Sequence, residues 1–286
     1  MNAKPRSPVT KLDLNSAWDQ AVQLMAANRE VVAVLSGVFF FLPYVLFLLF
    51  VPMPDFQSVA GPSGENSAAL MAAVNGFIAD YWWAILALVV VQTIGAIAVM
   101  AVIGDPKRPT VGAAMRRGGV LLLPNVAAQM LTSLATTFVV FVAVLLGALT
   151  GIPTVAATLT VFSLPVILWL MTRLSLSGAA IAIEQVSNPL AALRRSWRLT
   201  AGNGLRLAAF YLLLFLAFFV VSQVLGLIVG LLTALPGADI AHVLGALLSG
   251  LIYATLILLT YAVLASVHRL LARAERVSVP ETAVVD

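Results

Sequence analysis

Residues 190–206 read LAALRRSWRLTAGNGLR, and residues 207–235 continue as LAAFYLLLFLAFFVVSQVLGLIVGLLTAL. The first stretch carries Arg194, Arg195, Arg198 and Arg206, and the second carries no charge at all. A helix needs about 20 apolar residues to cross a hydrocarbon core of about 30 Å. The second stretch therefore reads as a membrane span and the first as a segment held at its edge. Five more uncharged apolar stretches lie at about 31–52, 81–103, 120–149, 152–172 and 242–267. Backbone groups in hydrocarbon must be satisfied within the segment, and runs this long and continuous suit helices, not the short alternating strands of a barrel. The expectation is an all-α polytopic membrane protein with six transmembrane helices, forming a single integral membrane domain over 1–286 with a disordered tail at 272–286.

Composition agrees. Hydrophobic residues make up 62% of the chain and charged residues only 10%, against about 25% charged in a soluble domain. The absence of cysteine excludes disulfides, thiol catalysis and metal sites built on thiolates. The first apolar run exceeds the 7 to 15 residues of a signal-peptide core and follows thirty residues with a pattern of their own, so it reads as a retained helix.

The charges give an orientation. Lys4, Arg6, Lys11 and Arg29 precede the first span. Lys107, Arg108, Arg116 and Arg117 lie between the second and third, the four arginines above between the fourth and fifth, and Arg269, Arg273 and Arg276 after the sixth. The opposite segments, 53–80, 150–151 and 236–241, hold no Lys or Arg. The positive-inside bias then places both termini in the cytoplasm of a bacterial inner membrane. Tyr81, Trp82 and Trp83 at one boundary, and Trp18, Trp169 and Trp197 at the other, suit the headgroup level.

Topology alone does not explain the pattern of the arginine segment. Wound as a helix, Leu190, Leu193, Trp197 and Ala201 share one sector while Arg194, Arg195 and Arg198 fall beside it, which makes a basic amphipathic helix. Asn188-Pro189 is a cap and first-turn pair, and Gly202-Asn203-Gly204 ends the helix. Such a helix is expected to lie in the membrane interface with its apolar side down. The unit recurs. Placing Asn125 over Asn203 puts GAAMRR (112–117) over LAALRR (190–195), and placing Asn28 over Asn203 puts LMAAN (24–28) over LTAGN (199–203), with Asp19 and Gln20 where the basic pair stands. The chain is thus expected to hold a threefold repeat of one cytoplasmic interfacial helix and two membrane helices, beginning near 13, 110 and 188.

One stretch also resembles a known family. Residues 171–214, MTRLSLSGAAIAIEQVSNPLAALRRSWRLTAGNGLRLAAFYLLL, are similar to the signature of the bacterial glycerophosphoryl diester phosphodiesterase membrane-domain family, in an R-L-S-L segment (Arg173 to Leu176), Glu184, and a run from Ala192 to Asn203. The resemblance implies a polytopic inner-membrane protein, fused in some relatives to a soluble phosphodiesterase. No such soluble domain is expected within these 286 residues. Its two histidines, His242 and His268, fall on expected opposite sides of the membrane, so the enzymatic part is not carried over.

Several residues are candidates for chemistry. Arg173 is an interfacial anchor beside Trp169 if the fourth helix ends at 172. If that helix continues to Glu184, the arginine lies about 16 Å from the glutamate along the helix and becomes a site inside the membrane. Asn125, Gln129, Thr132 and Thr136 recur at i, i+4, i+7 and i+11, a polar face that either lines a path for a polar solute, completed by Gln92, Thr93, Ser222 and Gln223, or joins neighbouring helices. Pro43, Pro124 and Pro165 suggest kinks. No acidic residue lies well inside a span, which weighs against ion-coupled transport. No phosphate-cradling loop, nucleophile with a base, or metal-ligand spacing occurs, and no cofactor is expected.

The sequence therefore leads to a non-enzymatic membrane protein whose interfacial helices engage anionic lipid headgroups through Arg194, Arg195, Arg198, Arg116 and Arg117, or brace a membrane assembly. Membrane lipids are the expected partners, with a homo-oligomer or a membrane-protein partner beside them and no nucleic acid. The alternatives are a transporter or channel for a small polar or amphiphilic solute, and a membrane subunit that recruits a separate phosphodiesterase.

Overall fold

The computed structural model describes residues 13–61, 66–105, 109–234 and 237–278. Among these residues the chain forms helices joined by short turns and loops, without strands. The order is α1 (Leu14–Ala27), α2 (Arg29–Phe50), α3 (Phe56–Ala60), α4 (Ser67–Gly104), α5 (Val111–Val120), α6 (Leu122–Leu149), α7 (Pro153–Leu174), α8 (Ser177–Glu184), α9 (Pro189–Leu199), α10 (Gly204–Thr233) and α11 (Ala238–Ser278). Six helical spans are long and apolar enough to cross a membrane: α2, α4, α6, α7 with α8, α10 and α11. The protein is an all-α, multi-pass membrane protein.

The spans differ from the expected ones at their ends. Helix α4 begins at Ser67, not near 81, and is bent at Tyr81 (φ −118°, ψ 15°), where the apolar run starts. In α2 the residues Gly37–Phe41 form a π-helical stretch in which the Leu42 N–H reaches Gly37 O. Pro43 follows at once and has no N–H to give the ladder, which is the kind of place where a wider turn is tolerated. Helix α11 runs on to Ser278. Residues 272–278, expected in a disordered tail, are therefore helical, and 279–286 lie outside the described residues.

The short helices α1, α5 and α9 lie at one end of the bundle and form a collar. Each packs against the end of a membrane helix that precedes it around the ring: α5 on α4, α9 on α8 and the end of α7, and α1 on α11. The repeat predicted from the three asparagines has a matching imprint in burial. Ala17, Ala114 and Ala192 occupy equivalent positions, and each is 0% exposed. Four residues on, Ala21, Gly118 and Ser196 are buried, and the next equivalent positions, Leu121 and Leu199 with half-buried Leu24, lead to Asn125, Asn203 and half-buried Asn28. Small side chains at this spacing let two helix backbones approach closely.

This stripe lies beside the apolar sector that was expected to face the bilayer. Leu190 and Ala201 are exposed, Trp197 is 37% exposed and Leu193 is half-buried. The sector expected to lie against lipid is largely uncovered by protein, and Ala192, Ser196 and Leu199 carry the packing against protein.

The core sits near the collar. Ala96 to Ile103 of α4, Ala179 to Ala182 of α8, and Ala262, Val263, Ala265 and Val267 of α11 are all buried. Away from it packing thins, and in α10 only Leu207 and Phe210 are buried. Helices α6 and α7 pack as a hairpin, turning at Gly151 with φ +68°, and a Cβ on Gly147 would run into Ala156.

Close approach at the collar yields a direct test. A Cβ on Gly118 would stand 2.6 Å from the Ile94 carbonyl oxygen, whereas one on Gly112 meets nothing within 4 Å. Gly118→Val should cost about 1–3 kcal/mol through overpacking, while Gly112→Ala should be neutral or slightly stabilising. Thermal unfolding of the two variants in detergent checks this, and equal melting temperatures would contradict the packing of α5 on α4.

Candidate functional site

Polar chemistry concentrates where the collar meets the membrane helices. Each paired arginine divides its two members. In α9, Arg194 is exposed while Arg195 turns inward, its Nε and NH2 donating to both carboxylate oxygens of Glu184 at 2.9–3.0 Å. A second carboxylate, Glu275 of α11, accepts from Arg195 NH1. In α5, Arg116 is exposed while Arg117 donates to Asp105 at 2.9 Å and to the Ala182 carbonyl at 3.3 Å. Ala182 belongs to the last turn of α8, whose carbonyls have no partner within the helix, so the guanidinium completes that helix end. Arg269 of α11 does the same for α4, reaching Ile103 O at 3.0 Å.

The equivalent place in α1 holds Gln20, whose side-chain oxygen lies 3.3 Å from the Ser266 hydroxyl, and that hydroxyl also donates to Ala17 O at 2.7 Å. The first copy thus replaces an ion pair by neutral hydrogen bonds at the same seam.

His268 lies beside the Glu184 cluster, 2% exposed, with Nε2 3.1 Å from Glu184 Oε1. The distance is that of an ionic contact, but neither ring nitrogen has a partner with hydrogen-bond geometry among the described residues. Burial works against the charge on Arg195, but its hydrogen bonds to Glu184 and Glu275 and their attraction outweigh burial and raise its pKa. It remains a cation throughout the physiological range.

Arg173 does not meet Glu184. Helix α7 ends one residue beyond it and α8 starts at Ser177, with the break at Ser175-Leu176. A break inside a membrane span frees backbone groups that must be satisfied locally. Ser196 of α9 does this twice, donating to Arg173 O at 2.7 Å and accepting from Leu176 N–H at 3.1 Å. Ser175 and Ser177 hydroxyls close onto Thr172 O and Leu174 O. The Arg173 guanidinium stacks over Trp197, 4.7 Å from its centroid, with Trp169 at 5.7 Å, and NH1 donates to Thr200 Oγ1 at 3.3 Å and Trp197 O at 3.4 Å. The three parts of the 171–214 stretch that looked like a family signature therefore contact one another: Glu184 with Arg195, Leu176 with Ser196, and Arg173 with Trp197.

The polar residues of α6 do not assemble. Asn125 is buried and Gln129 exposed. Thr132 and Thr136 are half-buried, and their hydroxyls donate to Ala128 O and Thr132 O one turn back on the same helix. Gln92 receives the Tyr253 hydroxyl at 2.7 Å, Tyr253 stacks on Tyr44, and Gln223 is exposed. A cleft of about 700 Å³ opens at the end of the bundle opposite the collar, lined by residues that include Leu48, Val51, Thr233, His242 and Ser249. None of the α6 candidates lines it.

Comparison with protein-family models, curated proteins and solved structures finds no match to this chain. Its site must be argued from its own geometry.

The division of each arginine pair predicts unequal effects. Arg195→Gln leaves two carboxylates without their cation and should destabilise by roughly 3 kcal/mol, the lower end for a broken buried pair because both partners keep some exposure. Arg194→Gln should stay within about 0.5 kcal/mol. Reversible denaturation in mixed micelles separates the two, and a tolerant Arg195→Gln would contradict the clamp.

Proposed function

We propose that the protein is a non-catalytic component of a bacterial cytoplasmic membrane whose collar lies at the inner leaflet and holds anionic lipid headgroups. The observation that carries this reading is the outward member of each arginine pair, together with Arg198. Arg116, Arg194 and Arg198 are exposed, beside exposed apolar side chains: Met115 and Val120 in α5, Leu190 and Trp197 in α9. Cations next to apolar and aromatic groups suit the boundary between headgroup and acyl chain. Each Lys or Arg near an anionic leaflet contributes about 1 kcal/mol. Arg117 and Arg195, by contrast, serve the fold and are left out of the headgroup contacts.

The charge asymmetry of the loops supports a cytoplasmic collar and cytoplasmic termini. The resemblance of residues 171–214 to the phosphodiesterase membrane-domain family supports a polytopic bacterial inner-membrane protein. Transport along α6 has less behind it, because its hydroxyls are spent on their own helix.

Lipids retained on extraction into native-membrane nanodiscs provide the test, identified by mass spectrometry for the wild type and for Arg116→Gln/Arg194→Gln/Arg198→Gln. The wild type should enrich an anionic phospholipid over the bulk membrane, and the variant should insert and fold but lose that enrichment. A bulk-like lipid profile in the wild type would sink the reading, and loss of insertion in the variant would reduce these arginines to topology signals.

A further inference from the structure

Among the inward-turned arginines described above, Arg117 and Arg195 are matched by carboxylates. Arg173 is different. No carboxylate among the described residues lies within ion-pair distance of it, although its side chain is half-buried. Its pose is nevertheless fixed. NH1 is held by Thr200 Oγ1 and Trp197 O, its guanidinium lies over Trp197, and Trp169 closes the other flank, edge-on to Trp197 with centroids 5.0 Å apart. A cation taken partly out of water and held without an anion is a costly arrangement.

The surroundings identify the anion. Trp169 and Trp197 are 48% and 37% exposed, and the apolar side chains of Met171, two residues after Trp169, and Leu205, at the start of α10, are exposed as well. Among the described residues neither indole N–H has a hydrogen-bond partner, and an exposed indole next to a cation at a span boundary is suited to a headgroup with an ester backbone below it. With NH1 held by the protein and Nε buried, NH2 and the delocalised charge of the guanidinium are left for a phosphate oxygen.

We propose that Arg173, Trp169 and Trp197 form a discrete slot for the phosphate of one phospholipid, at the junction of α7, α9 and the start of α10. The slot rests on the headgroup reading of the collar but is separate from its surface arginines. The aromatic pair flanks the lipid, and the guanidinium supplies the charge that the fold leaves unmatched. Because the slot opens beside lipid-facing side chains, its occupant is a membrane lipid and not free phosphate.

The test uses the full chain with Trp18, Trp82 and Trp83 replaced by phenylalanine, so that fluorescence reports on Trp169 and Trp197. Nanodiscs are made with brominated phosphatidylglycerol or brominated phosphatidylcholine in an unbrominated background. Quenching by the anionic lipid should reach half-maximum at about a fivefold lower mole fraction, the factor that one basic residue provides at an anionic surface. Arg173→Gln should bring the two lipids to parity, and Arg173→Lys should keep part of the preference. Equal quenching with Arg173 in place overturns the slot whatever the variants do, as does an undiminished preference in Arg173→Gln. Displacement of the anionic lipid by millimolar inorganic phosphate would also overturn it, by making the site one for a free anion. Arg194→Gln/Arg198→Gln separates the two levels: bulk lipid enrichment lost with the local quenching preference retained supports both readings, bulk enrichment retained contradicts only the collar, and a local preference lost while Arg173 is in place contradicts only the slot.

Discussion

Arg195 holds Glu184 and Glu275 together, and those carboxylates come from different helices, α8 and α11. One side chain of a short surface helix therefore ties the ends of two membrane spans. Such a tie is strong only where water is partly excluded and the donors match the acceptors in number. Both conditions hold here, because the stripe of Ala192, Ser196 and Leu199 brings α9 hard against the protein. Arg117 repeats the device with Asp105, and Ser266 with Ala17 and Gln20 supplies an uncharged version. The ring of three surface helices is where the molecule is densely packed, and the far halves of α6, α7 and α10 extend from it with most of their apolar surface open.

That distribution follows from the physics of the two solvents. Within lipid, apolar side chains gain little by packing on one another, so long apolar helices have no strong drive to bury themselves. At the collar the backbone breaks, helix ends leave carbonyls unpaired, and charges must be matched, so specific contacts repay the ordering they require. The break at Ser175-Leu176 illustrates this. A hydroxyl from the next surface helix enters it and satisfies one group on each side. The same residues that end α7 thereby fix the position of α9, and with it the outward direction of Arg194 and Arg198.

Much of this architecture was legible in the sequence. Charge-free runs above the bilayer length are a strong signal, and all six led to helices of the right order. The asparagine register also placed Ala17, Ala114 and Ala192 on equivalent positions, which share complete burial. The buried face of the surface helices was not legible, because alanine, glycine and serine carry little hydrophobic contrast while Leu190 and Trp197 carry much. Nor could the sequence separate Arg194 from Arg195: two identical neighbours differ only in the carboxylates that meet them, and Glu275 lies 80 residues away. The end of α11 was missed for a related reason, since Arg273, Glu275 and Arg276 look like a solvated tail until the partner of Glu275 is known. Periodicity placed Asn125, Gln129, Thr132 and Thr136 on one stripe, but it has no means of showing that the threonines would bond to their own helix.

The closure of the ring by α1 on α11 is the claim on which the threefold account stands. It is open to direct measurement, because the natural chain contains no cysteine. Ala17→Cys/Ser266→Cys places two thiols at the seam where the Ser266 hydroxyl meets the Ala17 carbonyl at 2.7 Å. Ala26→Cys/Ser266→Cys puts one of them instead on an exposed position of α1. Mild oxidation in native membranes should give an intramolecular cross-link in the first pair and none in the second. A cross-link confined to the second pair, or absent from the first in folded protein, would contradict the closed collar.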